Sequence, residues 1–200
     1  MSKFMHPAID EVVVTVAAEH EATYRQILDD AGLAVTVVIG AEERFLSAQR
    51  GLEATTGSLV LVHDGVRPFV DHDLIDAALA AGVEHGAAML GMPSVVQLKL
   101  VDDDHVVLRS LDRSHSWLGQ TPQVFERHLL EEAYAKAIAD RYARISDDAD
   151  LVAEYTGHAV KIIEGSENNI KITTPMDQFV AQHIARELIN PENPDRPEAS

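Results

Sequence analysis

The sequence contains no cysteine, few aromatic residues and no long apolar run. Without cysteine, disulfide bonds and thiolate metal sites are excluded, and a reducing compartment such as the cytoplasm is the expected location. Because aromatic residues make up only 5% of the chain, the core must consist mainly of Val, Leu, Ile and Ala. No apolar run approaches the roughly 18 residues of a membrane-spanning helix. The opening "MSKFMHPAID" also lacks the apolar segment of a secretory signal.

Cationic residues are scarce as well. The chain has 16 Lys and Arg against 33 Asp and Glu, which gives a formal net charge of −17. Such an acidic surface argues against nucleic-acid binding, which needs a basic one. It does not exclude a small anionic ligand, provided that several cations gather at one place against the overall field. The position of each arginine and lysine is therefore informative.

Several common site patterns are also missing. The ten histidines are scattered, and none forms a His-x-x-x-His or His-Glu-x-x-His pair, so a zinc site is not expected. The sequence contains no Gly-x-Ser-x-Gly elbow, Walker loop or Gly-x-Gly-x-x-Gly. Any site must therefore be found from the order of strands, helices and charged residues.

What the chain does have is a regular alternation of apolar strands and helical patterns, which predicts a single α/β domain over residues 1–189. Continuous apolar strands of this kind are typical of a mostly parallel sheet with helices on both faces. The predicted strands cover residues 11–17, 34–40, 59–62, 87–93, 96–101, 106–111, 159–165 and 169–173. The predicted helices cover residues 19–32, 42–57, 71–86, 126–144, 146–155 and 175–189.

Two parts of the chain depart from this alternation. Two consecutive strands flank the acidic turn "DDDH" and predict a hairpin or arm at about residues 94–120. Residues 190–200, "NPENPDRPEAS", are rich in proline and polar residues and predict a disordered tail.

The stretch "LVLVHDGVRPFV" (residues 59–70) is the first candidate site, because ligands of open α/β sheets bind beyond the carboxyl ends of strands. Asp64 can hold a divalent metal ion or orient a hydroxyl, and Arg67 can bind a phosphate through its guanidinium fork. Gly65 would let the backbone approach a ligand. The alternative is a surface turn in which Arg67 simply pairs with Asp64.

The stretch "LDRSHSWLGQTPQVF" (residues 111–125) is the second candidate. Arg113, Thr121 and Gln123 supply hydrogen-bond donors around a rigid proline. The alternative is a polar loop anchored by the ring of Trp117, the only tryptophan of the chain.

The stretch "EGSENNIKITTP" (residues 164–175) is the third candidate. Lys171, two residues beyond Asn169, can act as a point charge for a phosphate. A lysine that protects an edge strand from unwanted pairing is the alternative. Further upstream, "SDDAD" is interpreted either as a solvated acidic turn or as a helix N-terminus capped by Ser146.

Four segments taken together resemble a known family: "VLVHDGVRPFV", "LDRSHSWLGQTPQVF", "DDADLVAEYTGHAVKIIEG" and "NNIKITTPMD". They are similar, in this order, to cytidylyltransferases that act on small alditol phosphates. These are 2-C-methyl-D-erythritol 4-phosphate cytidylyltransferase of isoprenoid precursor synthesis and its relative acting on ribitol 5-phosphate. The resemblance runs from about residue 6 to residue 187.

The resemblance implies a Rossmann-like fold with a β-arm that clasps a second subunit, so that the active sites are completed across a homodimer. It implies CTP and an alditol phosphate as substrates and Mg²⁺ as the divalent metal ion. Asp64, Arg67 and Lys171 match catalytic positions, with Asp64 also the metal ligand. The implied substrate-binding residues are Arg113, Thr121, Gln123 and Ser146. The implied nucleotide-binding residues are Gly40, Glu42, Ser47 and Gly65.

The sequence also departs from the family pattern. The family begins with a central strand and a glycine-rich loop that cradles the CTP triphosphate, whereas the first strand here, residues 11–17, resembles the family's second. An Asp-Thr pair of the family is replaced by Val96 and Gln97 before Lys99, and an aspartate of the family is replaced by Asn168. Very weak or absent activity is therefore expected, because loss of one transition-state donor alone often costs roughly 3 kcal/mol.

The missing strand implies two unpaired strand edges in the middle of the sheet, which is costly. Either the remaining strands close up, another chain or segment fills the gap, or the chain given begins downstream of the natural start. For function, "DRSHSWLGQTPQ" favours the methylerythritol substrate, whereas "HDGVRPF" and "GQTPQ" lean towards ribitol 5-phosphate. A non-catalytic homologue that binds a phosphorylated ligand or a partner subunit is the alternative from another class.

Overall fold

Two β-branched segments near the beginning of the chain form a parallel pair of strands. In the computed structural model, which describes residues 1–140 and 147–189, these are β1 (Val13–Val16) and β2 (Thr36–Ile39). They are connected by helix α1 (Glu21–Asp30) and followed by helix α2 (Arg44–Glu53). The pair has a small apolar core of its own, formed by Val16, Leu28 and Val37.

The main sheet has four strands and lies in the middle of the molecule. Its order is β3 (Leu59–Val62), β7 (Trp117–Glu126), β4 (Ala87–Pro93) and β8 (Lys161–Glu164). β7 runs antiparallel to both of its neighbours, and only β4 and β8 are parallel. The sheet is therefore mixed where a mostly parallel one was predicted, because the predicted strands did not include residues 117–126, which form β7.

Helices cover both faces of this sheet, as the sequence predicts. Neighbouring residues of a strand point to opposite faces, and Val124 packs against helix α3 (His72–His85) while Phe125 packs against the other side. On that other side lie helices α4 (Arg127–Ala139) and α5 (Asp148–Thr156). The predicted α/β fold is confirmed.

A hairpin projects from the main sheet where an arm was predicted. It consists of β5 (Lys99–Val101) and β6 (Val107–Ser110), which pair antiparallel and are exposed along their whole length. Its base is closed by a hydrogen bond in which the Ser94 amide donates to the Ser116 carbonyl, at 2.8 Å. Apolar side chains on the hairpin lie in solvent; Leu108, for example, is 59% exposed.

The last part of the chain corrects two predictions. Residues 169–173 were predicted to be a strand, but they join no sheet; the Ile172 amide donates instead to the Val66 carbonyl at 2.9 Å. Helix α5 is capped by Asp147, whose carboxylate accepts from the Asp150 amide, and Ser146 was the predicted cap. Ser146 and the predicted helix end at residue 144 lie outside the described residues.

Helix α6 (Pro175–Ile189) closes the described part of the chain, as predicted. The predicted tail, residues 190–200, lies outside it. Within residues 1–140 and 147–189, no helix combines the length and apolar character of a membrane-spanning segment.

The edges of β1 and β3 that the missing strand would flank carry no ladder in the described part of the chain. The two regions are tied by a side chain instead. The carboxylate of Glu11, just before β1, accepts from the Thr56 amide (2.9 Å) and hydroxyl (2.6 Å), just before β3. These bonds lower the pKa of Glu11. Which of the three alternatives given above accounts for the missing strand between these two edges stays a prediction.

One glycine of α3 makes the close packing of this helix on the sheet testable. A Cβ atom on Gly82 would lie 2.9 Å from the Cβ of Val124 and closer still to its Cγ1. Gly82→Ala is therefore expected to lower the free energy of unfolding by about 2 kcal/mol, despite the better helix propensity of alanine. Urea unfolding measures the change.

Gly51→Ala in α2 is the matched control, because its Cβ would meet only the Thr15 methyl group at 3.3 Å. It is expected to change the free energy of unfolding by less than about 1 kcal/mol. Equal stability of the Gly82→Ala variant and the natural protein would contradict this account of the packing.

Candidate functional site

The loop after β3 carries Asp64 and is hydrogen-bonded to Thr121 of the neighbouring strand β7. The Arg67 amide donates to the Asp64 carbonyl at 2.9 Å, which closes a tight turn. The Asp64 amide donates to the hydroxyl oxygen of Thr121 at 3.0 Å, and the same oxygen lies 3.0 Å from the ring Nδ1 of His63. The turn therefore has a fixed position at the carboxyl end of β3.

Three cationic side chains converge on the Asp64 carboxylate. Lys171 Nζ lies 3.0 Å from Oδ2, and Arg67 Nε lies 3.4 Å from the same oxygen. Arg44 Nε lies 3.2 Å from Oδ1. The side chains of Asp64 and Arg67 are each 10% exposed, whereas those of Lys171 and Arg44 are 43% and 39% exposed. Two of the cations therefore face solvent beside a nearly buried carboxylate.

The electrostatics of this cluster favour an ionised Asp64. Burial alone would raise the pKa of the Asp64 carboxyl, but the hydrogen bond from Lys171 and the charges of Arg44 and Lys171 outweigh it. The pKa of Asp64 is therefore lowered below its ordinary value. An ionised carboxylate among cations is suited to hold a metal ion or to orient a phosphate between the same cations.

Arg67 also ties together three separate segments. Its Nη1 donates to the Asn169 carbonyl at 2.8 Å and its Nη2 to the Gly119 carbonyl at 3.3 Å. Asn169 is itself fully buried and donates to the Thr121 carbonyl at 2.8 Å. Because these bonds join residues 64–67 to residue 169, they bring Lys171 to the strand end.

Arg44 is the site residue that the sequence analysis missed. It is the first residue of α2, and its Nη1 also contacts Asp148 Oδ2 at 2.9 Å. Asp148 is fully buried and accepts a second hydrogen bond from the Tyr134 hydroxyl, at 2.7 Å. One signal in the sequence indicated Arg44. A cation in the first turn of a helix is disfavoured by the helix dipole and so suggests a specific partner.

Two predicted substrate-binding residues have supporting roles. Gln123 is 1% exposed; its amide nitrogen donates to Asp147 and its oxygen accepts from the Ala149 amide, so it holds the beginning of α5. Thr121 is 3% exposed and its hydroxyl supports the Asp64 turn. Their polar groups have partners inside the chain, and their direct contact with a substrate stays a prediction.

Of the other predicted substrate-binding residues, Arg113 makes no ion pair with the Asp64 cluster in the described part of the chain. Arg113 is exposed in a short 3-10 turn, Arg113–His115, at the base of the hairpin. Ser146 lies outside the described residues. Gly65, predicted to bind the nucleotide, is exposed, and a Cβ there would meet no atom of the described chain within 4 Å, so its role stays a prediction.

A cavity of about 720 Å³ lies beyond the carboxyl ends of β1 and β2. Gly40, Glu42 and Ser47, predicted to bind a nucleotide, all line it. The Ser47 hydroxyl accepts from the Ala41 amide at 2.9 Å, and a Cβ on Gly40 would lie 2.8 Å from that hydroxyl oxygen, so these two residues shape the loop. The volume is in the range of small-molecule sites.

The charge of this cavity is acidic. Glu19, Glu42 and Glu43 line it, against a single guanidinium, that of Arg50. The Arg50 guanidinium already donates to the Gly40 carbonyl, at 2.5 Å. Because Glu43 lines the cavity and the next residue along the chain is Arg44, the cavity and the Asp64 cluster are neighbours.

A cavity of about 720 Å³ beyond strand ends, next to cations that suit a phosphate, is compatible with the class of α/β nucleotidyltransferases. The family model described as IspD, 2-C-methyl-D-erythritol 4-phosphate cytidylyltransferase, matches residues 2–187. The chain belongs to this family of cytidylyltransferases, which confirms the resemblance seen in the sequence.

Proteins with this name are similar to nearly the whole chain. The one from Clostridium botulinum is 36% identical over 92% of this chain and 83% of its own length, and the one from Syntrophotalea carbinolica is 40% identical over 88% and 77%. Among solved structures, 4-diphosphocytidyl-2C-methyl-D-erythritol synthase from Anaerococcus prevotii has a TM-score of 0.82 at 32% identity, covering 89% of this chain and 79% of that one. The enzyme from Thermus thermophilus has a TM-score of 0.78 at 34% identity, with coverage of 92% and 85%.

Proposed function

We propose that the Asp64 cluster binds the phosphate of 2-C-methyl-D-erythritol 4-phosphate and directs it towards CTP. In the reaction an acceptor phosphate oxygen bonds to the α-phosphorus of CTP, the bond from that phosphorus to the bridging oxygen breaks, and pyrophosphate leaves. The observation that carries the proposal is the convergence of Arg44, Arg67 and Lys171 on one carboxylate. The substrate is chosen because the family model and the relatives above all bear the methylerythritol name.

The three cations are suited to different tasks. Arg67 has its guanidinium bonded to two backbone carbonyls, so it fixes the shape of the site. Within the described residues, Lys171 forms an ion pair with Asp64 alone, and it is the most exposed of the three cations. It is therefore the group that can turn from Asp64 to an incoming phosphate at little cost.

We further propose Mg²⁺ as the metal ion, with Asp64 as its protein ligand. In the described part of the chain no three His, Asp or Glu side chains cluster as a metal cage. A single carboxylate nevertheless fits Mg²⁺, which keeps several waters and is commonly held by one or two carboxylates together with substrate phosphates. When bound, the ion would neutralise charge on the phosphates of CTP.

Cytidylyl transfer is proposed to be slow, because the cavity expected to hold CTP is lined by three carboxylates. The same observation favours a second candidate function, a non-catalytic homologue that binds only the alditol phosphate. The two are separated by incubating the chain with CTP, Mg²⁺ and either 2-C-methyl-D-erythritol 4-phosphate or ribitol 5-phosphate. Pyrophosphate release with the methylerythritol compound supports the enzyme; calorimetric binding without release supports the homologue; release only with ribitol 5-phosphate overturns the proposed substrate.

A homodimer formed through the hairpin is part of the proposal. Its support is the exposed apolar surface of β5 and β6, which another surface has to cover. Arg113, exposed at the base of the hairpin and separate from the Asp64 cluster of its own chain, would then contact the acceptor in the site of the other subunit.

Lys171→Met tests the proposed role of the exposed cation. The variant keeps the length of the side chain but removes its charge, and KM for the methylerythritol phosphate is expected to rise about 10- to 100-fold, the worth of a charged hydrogen bond. Steady-state kinetics or calorimetry measures the change. Lys161→Met, at an exposed lysine of β8, is the matched control and should leave KM unchanged. Equal KM values for the two variants would refute the role of Lys171.

A further inference from the structure

Asp148 is a buried carboxylate that the proposed reaction does not use. It is fully buried and is the first residue of α5. One of its oxygens accepts from the Tyr134 hydroxyl at 2.7 Å and the other from Arg44 Nη1 at 2.9 Å. Burial and, to a lesser extent, the neighbouring Asp148 carboxylate raise the pKa of Tyr134. The tyrosine hydroxyl therefore stays protonated and donates a hydrogen bond to Asp148.

Stability alone is a weak reason for such an arrangement. Replacing a buried ion pair by apolar groups of similar volume is often neutral or stabilising, because both charges have to be removed from water. The position of Asp148 at a helix N-terminus offsets part of that cost, since the helix dipole favours a negative charge there. The contacts of the pair support a different role, in which Asp148 fixes the position of the Arg44 side chain.

The group to be positioned is the guanidinium of Arg44. Its guanidinium joins two carboxylates from different segments, Asp64 after β3 and Asp148 in α5. Its side chain is 39% exposed and begins at the N-terminus of α2, where the helix dipole does not favour a cation. Without Asp148, this long and half-exposed side chain would spread over several rotamers, because side-chain entropy opposes a single one.

We propose that Asp148 is a positioning residue, which holds the guanidinium of Arg44 against Asp64 and so prepares the phosphate site before substrate binds. Tyr134 holds Asp148 in turn, from the opposite side of its carboxylate. The inference rests on the proposed function to the extent that the Asp64 cluster is the phosphate site. It adds to that function a residue that need not touch substrate.

Two conservative variants separate positioning from mere stability. Asp148→Asn keeps the volume and an oxygen that can accept from Tyr134, but it removes the ion pair with Arg44. Tyr134→Phe removes the other bond of Asp148 and keeps the ion pair. Both variants are expected to lower the melting temperature, since each disturbs the same buried group, and only Asp148→Asn is expected to release Arg44.

The release is measured by NMR on the Arg44 Nε–H signal, assigned by its absence in Arg44→Lys. The signal is expected in the natural protein and in Tyr134→Phe, and it is expected to be lost through rapid exchange with water in Asp148→Asn. A signal that persists in Asp148→Asn overturns the inference. This measurement needs no substrate, so it decides the hold of Asp148 on Arg44 even if the chain binds no alditol phosphate and the proposed function fails.

Binding of 2-C-methyl-D-erythritol 4-phosphate, followed by calorimetry, provides the second measurement. Asp148→Asn is expected to weaken it about tenfold, and Tyr134→Phe less than about twofold. In an Arg44→Gln background, Asp148→Asn should have no further effect, because a residue that acts through another loses its influence when that residue is gone. Additive losses would overturn the inference.

If Asp148→Asn does not fold, Arg44→Lys gives the same test from the other partner. Lysine keeps the charge but presents one compact ammonium group, so it cannot serve both carboxylates as a planar guanidinium does. Its affinity for the alditol phosphate is expected to fall about tenfold. Unchanged affinity would overturn the inference.

Discussion

Asp64→Asn is expected to lower kcat/KM for cytidylyl transfer by about a thousandfold, the upper range for loss of one electrostatic group of an active site. The amide has nearly the size of the carboxylate, so the turn closed by Arg67 and supported by Thr121 is kept. What is lost is the charge that orders three cations and would bind Mg²⁺. Pyrophosphate release at saturating CTP measures the change.

Asp29→Asn, at an exposed carboxylate of α1, is the control and should retain full activity.

The pH dependence of stability gives an independent check of Asp64→Asn. Because the folded-state pKa of Asp64 is lowered, its ionisation stabilises the fold above the unfolded pKa of about 3.9, and this contribution is lost as the pH falls through the folded value. The natural protein and Asp64→Asn should therefore differ in stability at neutral pH and converge in acid. Activity within tenfold of the natural protein would rule out the proposed role.

Leu108→Asp in the hairpin is expected to convert the proposed dimer into monomers. Leu108 is 59% exposed in the single chain, among other exposed apolar side chains of β5 and β6. Placing a carboxylate in an apolar interface costs about 3 kcal/mol, which weakens association about 100-fold. Light scattering at micromolar concentration measures the change in mass, and turnover should fall with it if Arg113 of one subunit serves the site of the other.

Val83→Asp is the matched control, since Val83 is 73% exposed on α3 and apart from the hairpin. The same charge at this surface should leave the mass unchanged. A natural protein that is monomeric in this assay would refute the dimer. A dimeric Leu108→Asp variant would refute its proposed interface.

The sequence pointed to three residues of the candidate site, Asp64, Arg67 and Lys171, because strand ends of an α/β sheet are marked by local signals. Asp64 lies two residues after a run of four apolar residues, and Arg67 follows three residues later. Lys171 lies in the stretch "NNIKITTPMD". Their meeting in one cluster depends on long-range contacts such as the bond from Arg67 to the Asn169 carbonyl, because β3 and β8 lie at opposite edges of the main sheet. The hairpin was predicted in the same way, from two short strands and one acidic turn.

Long-range contacts account for what the sequence did not show. Arg44 reaches one partner 20 residues away and another 104 residues away, and no local pattern reports such distances. The missed strand β7 has a similar cause. Its polar residues Gln120 and Gln123 are buried in hydrogen bonds with other segments, so they resemble loop residues until those partners are known.

The strand order β3-β7-β4-β8 bears on how the chain is made. During synthesis, β1, α1 and β2 can close around Val16, Leu28 and Val37 soon after they leave the ribosome. β3 has no such early partner, since in the described sheet it pairs only with β7, which ends at Glu126. Nascent chains shorter than this should therefore carry an apolar strand in need of chaperone protection.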